Sequence, residues 1–365
     1  MAQAVRVLHI VGAIYPGGME NFIMNLYDNI DRERLQFDIA VHARKENDYV
    51  DKIERMGGRV YVLPRLTRHP VKSLKALYRI VKDNHYPVVI RHTSNALISP
   101  QLLTAKLAGA KTICHSHTET DDKKFVHKVG RLFMKAATTE RFACSENAGK
   151  WMFGNNSYSI VHNAIDIDKF SYTKDKSEQI RREFQLKDAK VYGNIANLAA
   201  CKNHLFLIKV FKEIAKLDDS ARFFCVGEGD MRAQIEEEIE KLHMQDKVIL
   251  TGIRTDVEKF MSCLDVLIFP SIYEGLPLTL VEAQAAGLPI LMSDTITSNV
   301  IVSKGLVYAK SIEADPAQWA ECAMKLADKS RQNRACQRER LAQAGYDIRG
   351  LADWYQNYLL KMAEE

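Results

Sequence analysis

The sequence lacks any apolar stretch near the roughly 20 residues that a membrane-spanning helix requires, and its N-terminus has no basic segment followed by an apolar run. Neither a spanning anchor nor a secretory leader is therefore expected, and the predicted location is cytoplasmic. Paired cysteines are missing too: seven cysteines stand singly at positions 114, 144, 201, 225, 263, 322 and 336. That spacing argues against a disulfide framework or a zinc site and predicts buried, reduced thiols with no bound metal. Long disordered tracts have little room, because 47% hydrophobic and 27% charged residues are ordinary for a folded soluble protein.

What is present is length for two domains and an uneven charge. A chain of 365 residues exceeds one comfortable core. Residues 1 to 165 hold 24 basic and 15 acidic groups, a balance of +9, and the remainder holds 27 and 31, a balance of −4. An excess of positive charge on one half favours anionic surfaces or substrates near it. Nucleic acid and membrane phospholipid are the two candidates.

The run Val5 to Val11 is short, apolar and β-branched and ends at Gly12 before Pro16-Gly17-Gly18, so it reads as a buried strand leaving through a glycine turn. Met19, Phe22, Ile23, Leu26 and Tyr27 then recur at helical steps. The alternation continues with strands predicted at 37–41, 60–63 and 88–91 and helices at 49–56 and 71–84. A second series has strands at 191–195, 223–226, 248–250, 266–269 and 289–292. Strands joined through helices imply crossovers and parallel sheets. The predicted fold class is α/β: two Rossmann-like domains facing a central cleft. Residues 1–167 form the first domain and 168–345 the second, with a linker at about 163–174. A closing amphipathic helix over 346–365, capped by Asp347, is predicted to pack back on the first domain.

In an open parallel sheet, ligands bind beyond the carboxyl ends of the strands. The strand ending at Phe269 runs into Pro270-Ser271-Ile272-Tyr273-Glu274-Gly275-Leu276-Pro277-Leu278-Thr279-Leu280-Val281-Glu282, a glycine and proline turn feeding a helix. Free amides at such a helix start suit a phosphate or diphosphate. Glu282 lies among Val281, Ala283, Ala285 and Ala286, a setting that gives its carboxylate a purpose other than solvation, and a carboxylate there can bind both hydroxyls of a ribose.

These residues resemble the Glu-x7-Glu signature of family-4 glycosyltransferases, which have the GT-B fold. Gly17-Gly18-Met19-Glu20, Phe142-Ala143-Cys144-Ser145-Glu146, Asn163-Ala164-Ile165-Asp166, Ala200-Cys201-Lys202-Asn203-His204 and Val226-Gly227-Glu228-Gly229 resemble further segments of that family in order, so the likeness covers nearly the whole chain. It is strongest toward bacterial capsular and exopolysaccharide transferases. The resemblance implies a metal-independent, retaining transferase without a cofactor. Its donor would be a nucleotide diphosphate sugar, with UDP favoured, and its acceptor a glycan or lipid-linked saccharide. Glu274 would contact sugar hydroxyls, Glu282 the ribose, and the amides of Gly275, Leu276, Leu278 and Thr279 the sugar and diphosphate. Lys202 would neutralise phosphate, and Gly17 and Gly18 would line the donor site. His117, in His115-Ser116-His117, would orient donor and acceptor.

Two positions depart from the family pattern. Asn197 stands where relatives commonly carry arginine, which leaves Arg254 as a candidate replacement cation, and Asn299 stands where relatives often carry glutamate. Other readings are a nucleotide-dependent oxidoreductase, which the missing G-x-G-x-x-G argues against, a sugar-nucleotide epimerase of the same fold, and a non-catalytic sugar-nucleotide-binding protein. Two basic amphipathic segments, 72–82 and 123–135, are candidates for peripheral contact with an anionic membrane, although apolar stripes of this kind usually belong to the core. Nucleic acid is not expected as a partner.

Overall fold

The computed structural model describes residues 4–14, 18–43, 48–118, 124–330, 334 and 337–365. The chain divides into two compact units, one formed by residues 1–164 with 347–365 and the other by 165–346.

The first unit is built on a seven-stranded parallel sheet. Its strands are β1 (Val5–Ile10), β2 (Leu35–Val41), β3 (Val60–Val62), β4 (Val88–Thr93), β5 (Lys111–Ser116), β6 (Glu140–Ala143) and β7 (Ser159–Ile160), in the order β3-β2-β1-β4-β5-β6-β7. Helices α1 (Gly18–Asn29), α2 (Asp48–Arg55), α3 (Pro70–Asp83), α4 (Ser99–Leu107), α5 (Lys124–Ala137) and α6 (Glu146–Phe153) make the crossovers. β5 and β6 were not legible as strands because Thr112, His115, Ser116, Glu140 and Arg141 break the apolar run. Two of these polar groups are satisfied inside the unit: the Thr112 hydroxyl donates to the Ala137 carbonyl at 2.7 Å and that of Ser116 to the Ala148 carbonyl at 3.1 Å.

In the second unit α7 (Ile167–Phe170) and α8 (Lys174–Glu183) precede β8 (Val191–Ile195), α9 (His204–Leu217), β9 (Arg222–Val226), α10 (Arg232–Lys241), β10 (Val248–Gly252) and α11 (Val257–Cys263). There follow β11 (Val266–Phe269), α12 (Leu278–Ala285), β12 (Ile290–Ser293), β13 (Val307–Lys310), α13 (Pro316–Ser330) and α14 (Arg338–Gln343). The six strands are parallel in the order β10-β9-β8-β11-β12-β13. Apolar side chains cover both faces, with Phe224, Leu267 and Val281 in one layer and Phe211, Phe223 and Trp319 in the other.

The last helix, α15 (Ile348–Glu364), is capped by the Asp347 side chain, which accepts from the Arg349 amide, and buries Ile348, Ala352, Tyr355 and Leu359 in the core of the first unit. The division falls after Ala164 and after Tyr346 rather than after 167 and 345. The reason is local: the Ile165 amide donates to the Tyr346 carbonyl at 2.9 Å, and Ile165, Ile167 and Tyr346 all lie in the second unit's core.

Candidate active site

In the second sheet the chain order reverses between β8 and β11, so the crevice at their carboxyl ends is the topological switch point where an open α/β sheet receives ligands. The loop after β8 is anchored to the loop after β9: the Ala196 amide donates to Val226, Leu198 to Glu228, and Met231 to Leu198. Gly227, at φ +146°, and Gly229 make this possible, since a Cβ at either would fall 2.0 Å from the Ala196 carbonyl or 2.6 Å from that of Leu198. The β8 loop then makes a short turn over Ala200–Lys202 and enters α9 through Asn203 in the left-handed conformation.

The loop after β11 is fastened alongside. The Ile272 amide donates to the Cys201 carbonyl at 2.8 Å, and the hydroxyls of Ser293 and Thr295 both donate to the Ser271 carbonyl. Lys202 and Glu274 therefore meet: Nζ lies 2.5 Å from Oε1, with the two side chains only 16% and 11% exposed. The Lys202 ammonium also sits 5.5 Å from the centre of the Phe269 ring.

Beyond Glu274 the amides of Gly275 and Leu276 make no backbone hydrogen bond among the described residues, and those of Leu278 and Thr279 belong to the first turn of α12, where no intrahelical acceptor exists. Four N–H donors are thus available beside one ammonium. Glu282 follows on the same helix. Burial pushes its carboxyl up to about 7; the Glu258 carboxylate adds to the rise and the Lys169 ammonium opposes it. Glu258 is ion-paired with Lys169 at 3.8 Å. The Lys169 and Glu258 neighbours were not anticipated, since they come from α7 and α11 and no sequence spacing links them to Glu282.

Asn197 is exposed on the β8 loop and Asn299 on a turn after β12. Arg254 does not join Lys202 among the described contacts. Its guanidinium is held bidentately by Glu183, at 2.8 and 3.0 Å, and again by Asp256, at 2.9 and 3.0 Å, and it covers the Phe260 ring. These partners fix α8 against α11, and Arg254 takes no part in the amide and ammonium grouping.

In the first unit, His117 follows β5. Its Nε2 shares a hydrogen bond of 2.9 Å with His92 Nδ1, and His92 Nε2 shares another of 2.9 Å with His9 Nδ1. The edge of Phe22 packs on both His115 and His117. Burial lowers the whole group, taking His9 and His117 down to about 3, so these imidazoles are neutral at physiological pH. His92, His115 and His117 also offer ring nitrogens within 4.8 Å of one another, a donor set of the kind that borderline metals accept. In the structure His92 Nδ1 and His117 Nε2 are engaged with each other in a hydrogen bond. His9 and His92 were missed because they sit on β1 and β4, and only sheet order brings them to His117. Gly18 opens α1 with nothing near the position of a Cβ, and Gly17 lies outside the described residues.

Residues 16–169 match Glycosyltransferase Family 4, and residues 175–347 match Glycosyl transferases group 1. The Bacillus subtilis protein EpsF is 31% identical over 359 residues, covering 94% of this chain and 93% of its own. The chain belongs to the family-4 glycosyltransferases. This glycosyltransferase is also 26% identical, over 82% of its length and 81% of the relative's, to the Escherichia coli UDP-Gal:alpha-D-GlcNAc-diphosphoundecaprenol alpha-1,3-galactosyltransferase. Its fold matches that of Anabaena Alr3699/HepE in complex with UDP, with a TM-score of 0.79 at 14% identity, over 97% of this chain and 99% of that one. The architecture is GT-B, in which each half of the chain is an α/β domain on a parallel sheet.

One surface of the glycosyltransferase differs from the rest. On α5, Phe125, Leu132 and Phe133 are 80%, 79% and 57% exposed, with Val129 also exposed. The inward contact is made by another face: a Cβ on Gly130 would lie 2.3 Å from the Ala96 carbonyl, His127 stacks on Trp151 at 3.9 Å, and Met134 and Ala137 are buried in the core. The stripe of α3, by contrast, buries Leu77 and Val81. No helix of the structure is long and apolar enough to cross a membrane among the described residues.

Proposed function

We propose that this glycosyltransferase transfers a sugar, with retention and without a metal, from a UDP-sugar to a lipid-linked glycan acceptor in surface polysaccharide synthesis. The observation that carries the reading is the convergence of Lys202 and the four amides of Gly275, Leu276, Leu278 and Thr279 at the β8/β11 switch point. Fixed donors of that kind stabilise the charge that develops on a departing nucleoside diphosphate, and they do so without reorganising at the moment of reaction. Glu282 accepts from the ribose hydroxyls; Glu274 holds Lys202 and faces the sugar. His117 is neutral and so orients hydroxyls as a hydrogen-bonding group rather than as a cation. The bond from the anomeric carbon to the diphosphate breaks as the acceptor oxygen attacks from the leaving-group face, and the acceptor proton leaves with the diphosphate. The UDP complex of HepE and the diphosphoundecaprenol acceptor named for the E. coli relative support the donor and acceptor classes.

The exposed apolar stripe of α5, flanked by Lys128, Arg131 and Lys135, supports peripheral contact with an anionic membrane at which such an acceptor resides. The whole reading is tested by incubating the enzyme with a panel of UDP-sugars and a prenyl-diphosphate-linked saccharide and examining the product by proton NMR. Acceptor-dependent release of UDP with an axial anomeric linkage is expected from an α-linked donor. Conversion of the UDP-sugar without acceptor would instead identify an epimerase, and binding without turnover a non-catalytic protein.

A further inference from the structure

The first unit holds a second candidate site, formed at the carboxyl ends of β1, β2 and β4. A cavity of about 520 Å3 opens there, lined by Arg91, Arg65, His42 and Gln101 together with the turns at Gly12 and Ser94. Arg91 is 7% exposed, and no carboxylate pairs with it or with Arg65 among the described residues. Its Nη1 donates to the carbonyls of Ile10 and His92 and its Nε to Gln101 Oε1 at 3.0 Å, while Nη2 makes no hydrogen bond among the described residues.

The support behind Arg91 is fully assigned. The buried Gln101 amide nitrogen donates to His42 Nε2 at 3.2 Å, and His42 Nδ1 donates to the Leu63 carbonyl at 3.4 Å. His42 is thereby held neutral in one tautomer, and burial together with the Arg91 charge lowers its pKa. Burial likewise brings Arg91 down to about 10. A buried guanidinium without an anion is costly, and a protein that holds one at the wall of a cavity, with one edge free and a second arginine lining the same cavity, has prepared an oxyanion site. None of the described lining residues is acidic.

We propose that this cavity binds the diphosphate group of the acceptor substrate, with Arg91 as its principal ligand and Arg65 as a second cation. The proposal rests on the transferase reading for the word acceptor, but the site is separate from the residues assigned to the donor. A diphosphate carries enough charge to neutralise both arginines, and Thr93, Ser94 and Asn95 also line the cavity.

The test is calorimetric titration of the full chain, first with UDP and then, at saturating UDP, with inorganic diphosphate and with geranyl diphosphate. UDP binding alone reports on the donor reading. A further diphosphate-binding event at about one per chain is expected, at least tenfold weaker in Arg91→Gln and several-fold weaker in Arg65→Ala, with UDP affinity unchanged in both. Arg65 is exposed, so its replacement leaves folding intact even if that of Arg91 does not. Geranyl diphosphate is expected to bind at least as tightly as the inorganic ion. No diphosphate binding beyond that of UDP, or equal binding in Arg65→Ala and folded Arg91→Gln, would overturn the site; acceptance of the inorganic ion with refusal of the prenyl ester would overturn its assignment to a lipid-linked acceptor.

Discussion

Lys202 and Glu274 come from loops 72 residues apart and meet as an ion pair of 2.5 Å at the switch point of the second sheet. The pair is largely shielded from water, so each charge depends on the other. Lys202→Ala leaves Glu274 without its cation and Glu274→Ala leaves Lys202 without its anion. A double-mutant cycle on unfolding free energy should give a coupling of about 1–3 kcal/mol, with the double variant more stable than the two single effects added together. Additive effects would mean that the loops are positioned independently of this contact.

With the ribose placed at Glu282 as proposed, donor binding is expected to depend on pH. Its carboxyl is raised to about 7 by burial, so below neutral pH it is largely protonated and loses acceptor capacity for ribose hydroxyls. Affinity for a UDP-sugar, whose diphosphate diester does not titrate in this range, should increase from pH 5.5 to 8 in the wild type and stay flat in Glu282→Gln. The stability consequence has the opposite sense. A carboxyl that binds its proton more tightly when folded stabilises the fold below its unfolded pKa of about 4.5, and that contribution is lost as pH rises toward 7. Glu282→Gln should therefore raise the Tm of the ligand-free protein at pH 8 more than at pH 5. An identical Tm difference at both values would show that the carboxyl titrates normally.

His117→Ala should lower kcat at least tenfold while sparing UDP affinity, because the residue belongs to the first unit and the residues proposed to hold the nucleotide belong to the second. Since His117 is neutral down to about pH 3, the pH profile of kcat/KM between 5 and 8 should carry no limb from its ionisation. A limb near pH 6.5 that disappears in His117→Asn would contradict the buried, neutral imidazole.

The exposed face of α5 gives the membrane reading a direct test. Phe125→Ser with Leu132→Ser should reduce co-sedimentation with vesicles of phosphatidylglycerol, and binding of the wild type should weaken with salt as Lys128, Arg131 and Lys135 are screened. Retention of full vesicle binding by the double variant would remove α5 from the contact.

The glycine and proline turn after Phe269 was legible in the sequence because composition and position agree: Gly275 and Pro277 break the chain where a parallel strand ends, and Glu282 lies among small apolar residues. Asp347 was legible as a cap for the same kind of local reason. The partners of those residues were not. Glu258 and Lys169 reach Glu282 from α11 and α7, His9 and His92 reach His117 from β1 and β4, and Arg254 turns to Glu183 and Asp256 rather than to Lys202, all through sheet order and helix packing that no spacing encodes. The stripe on 123–135 shows the limit in another form. Periodicity alone reads Leu77 of α3 and Leu132 of α5 alike, yet the first is buried and the second 79% exposed, because α5 packs inward through another face that carries His127, Gly130, Met134 and Ala137. Lys123 lies outside the described residues.

The most direct measurement of the central claim is calorimetric titration of a UDP-sugar into the wild type, Lys202→Ala and Glu282→Gln at pH 8, each shown to be folded by its thermal transition. One binding site per chain is predicted, weakened at least tenfold by Lys202→Ala and by about 1–3 kcal/mol by Glu282→Gln, the range for a lost charge-assisted hydrogen bond. Undiminished affinity in both folded variants would contradict the placement of the nucleotide at the β8/β11 switch point.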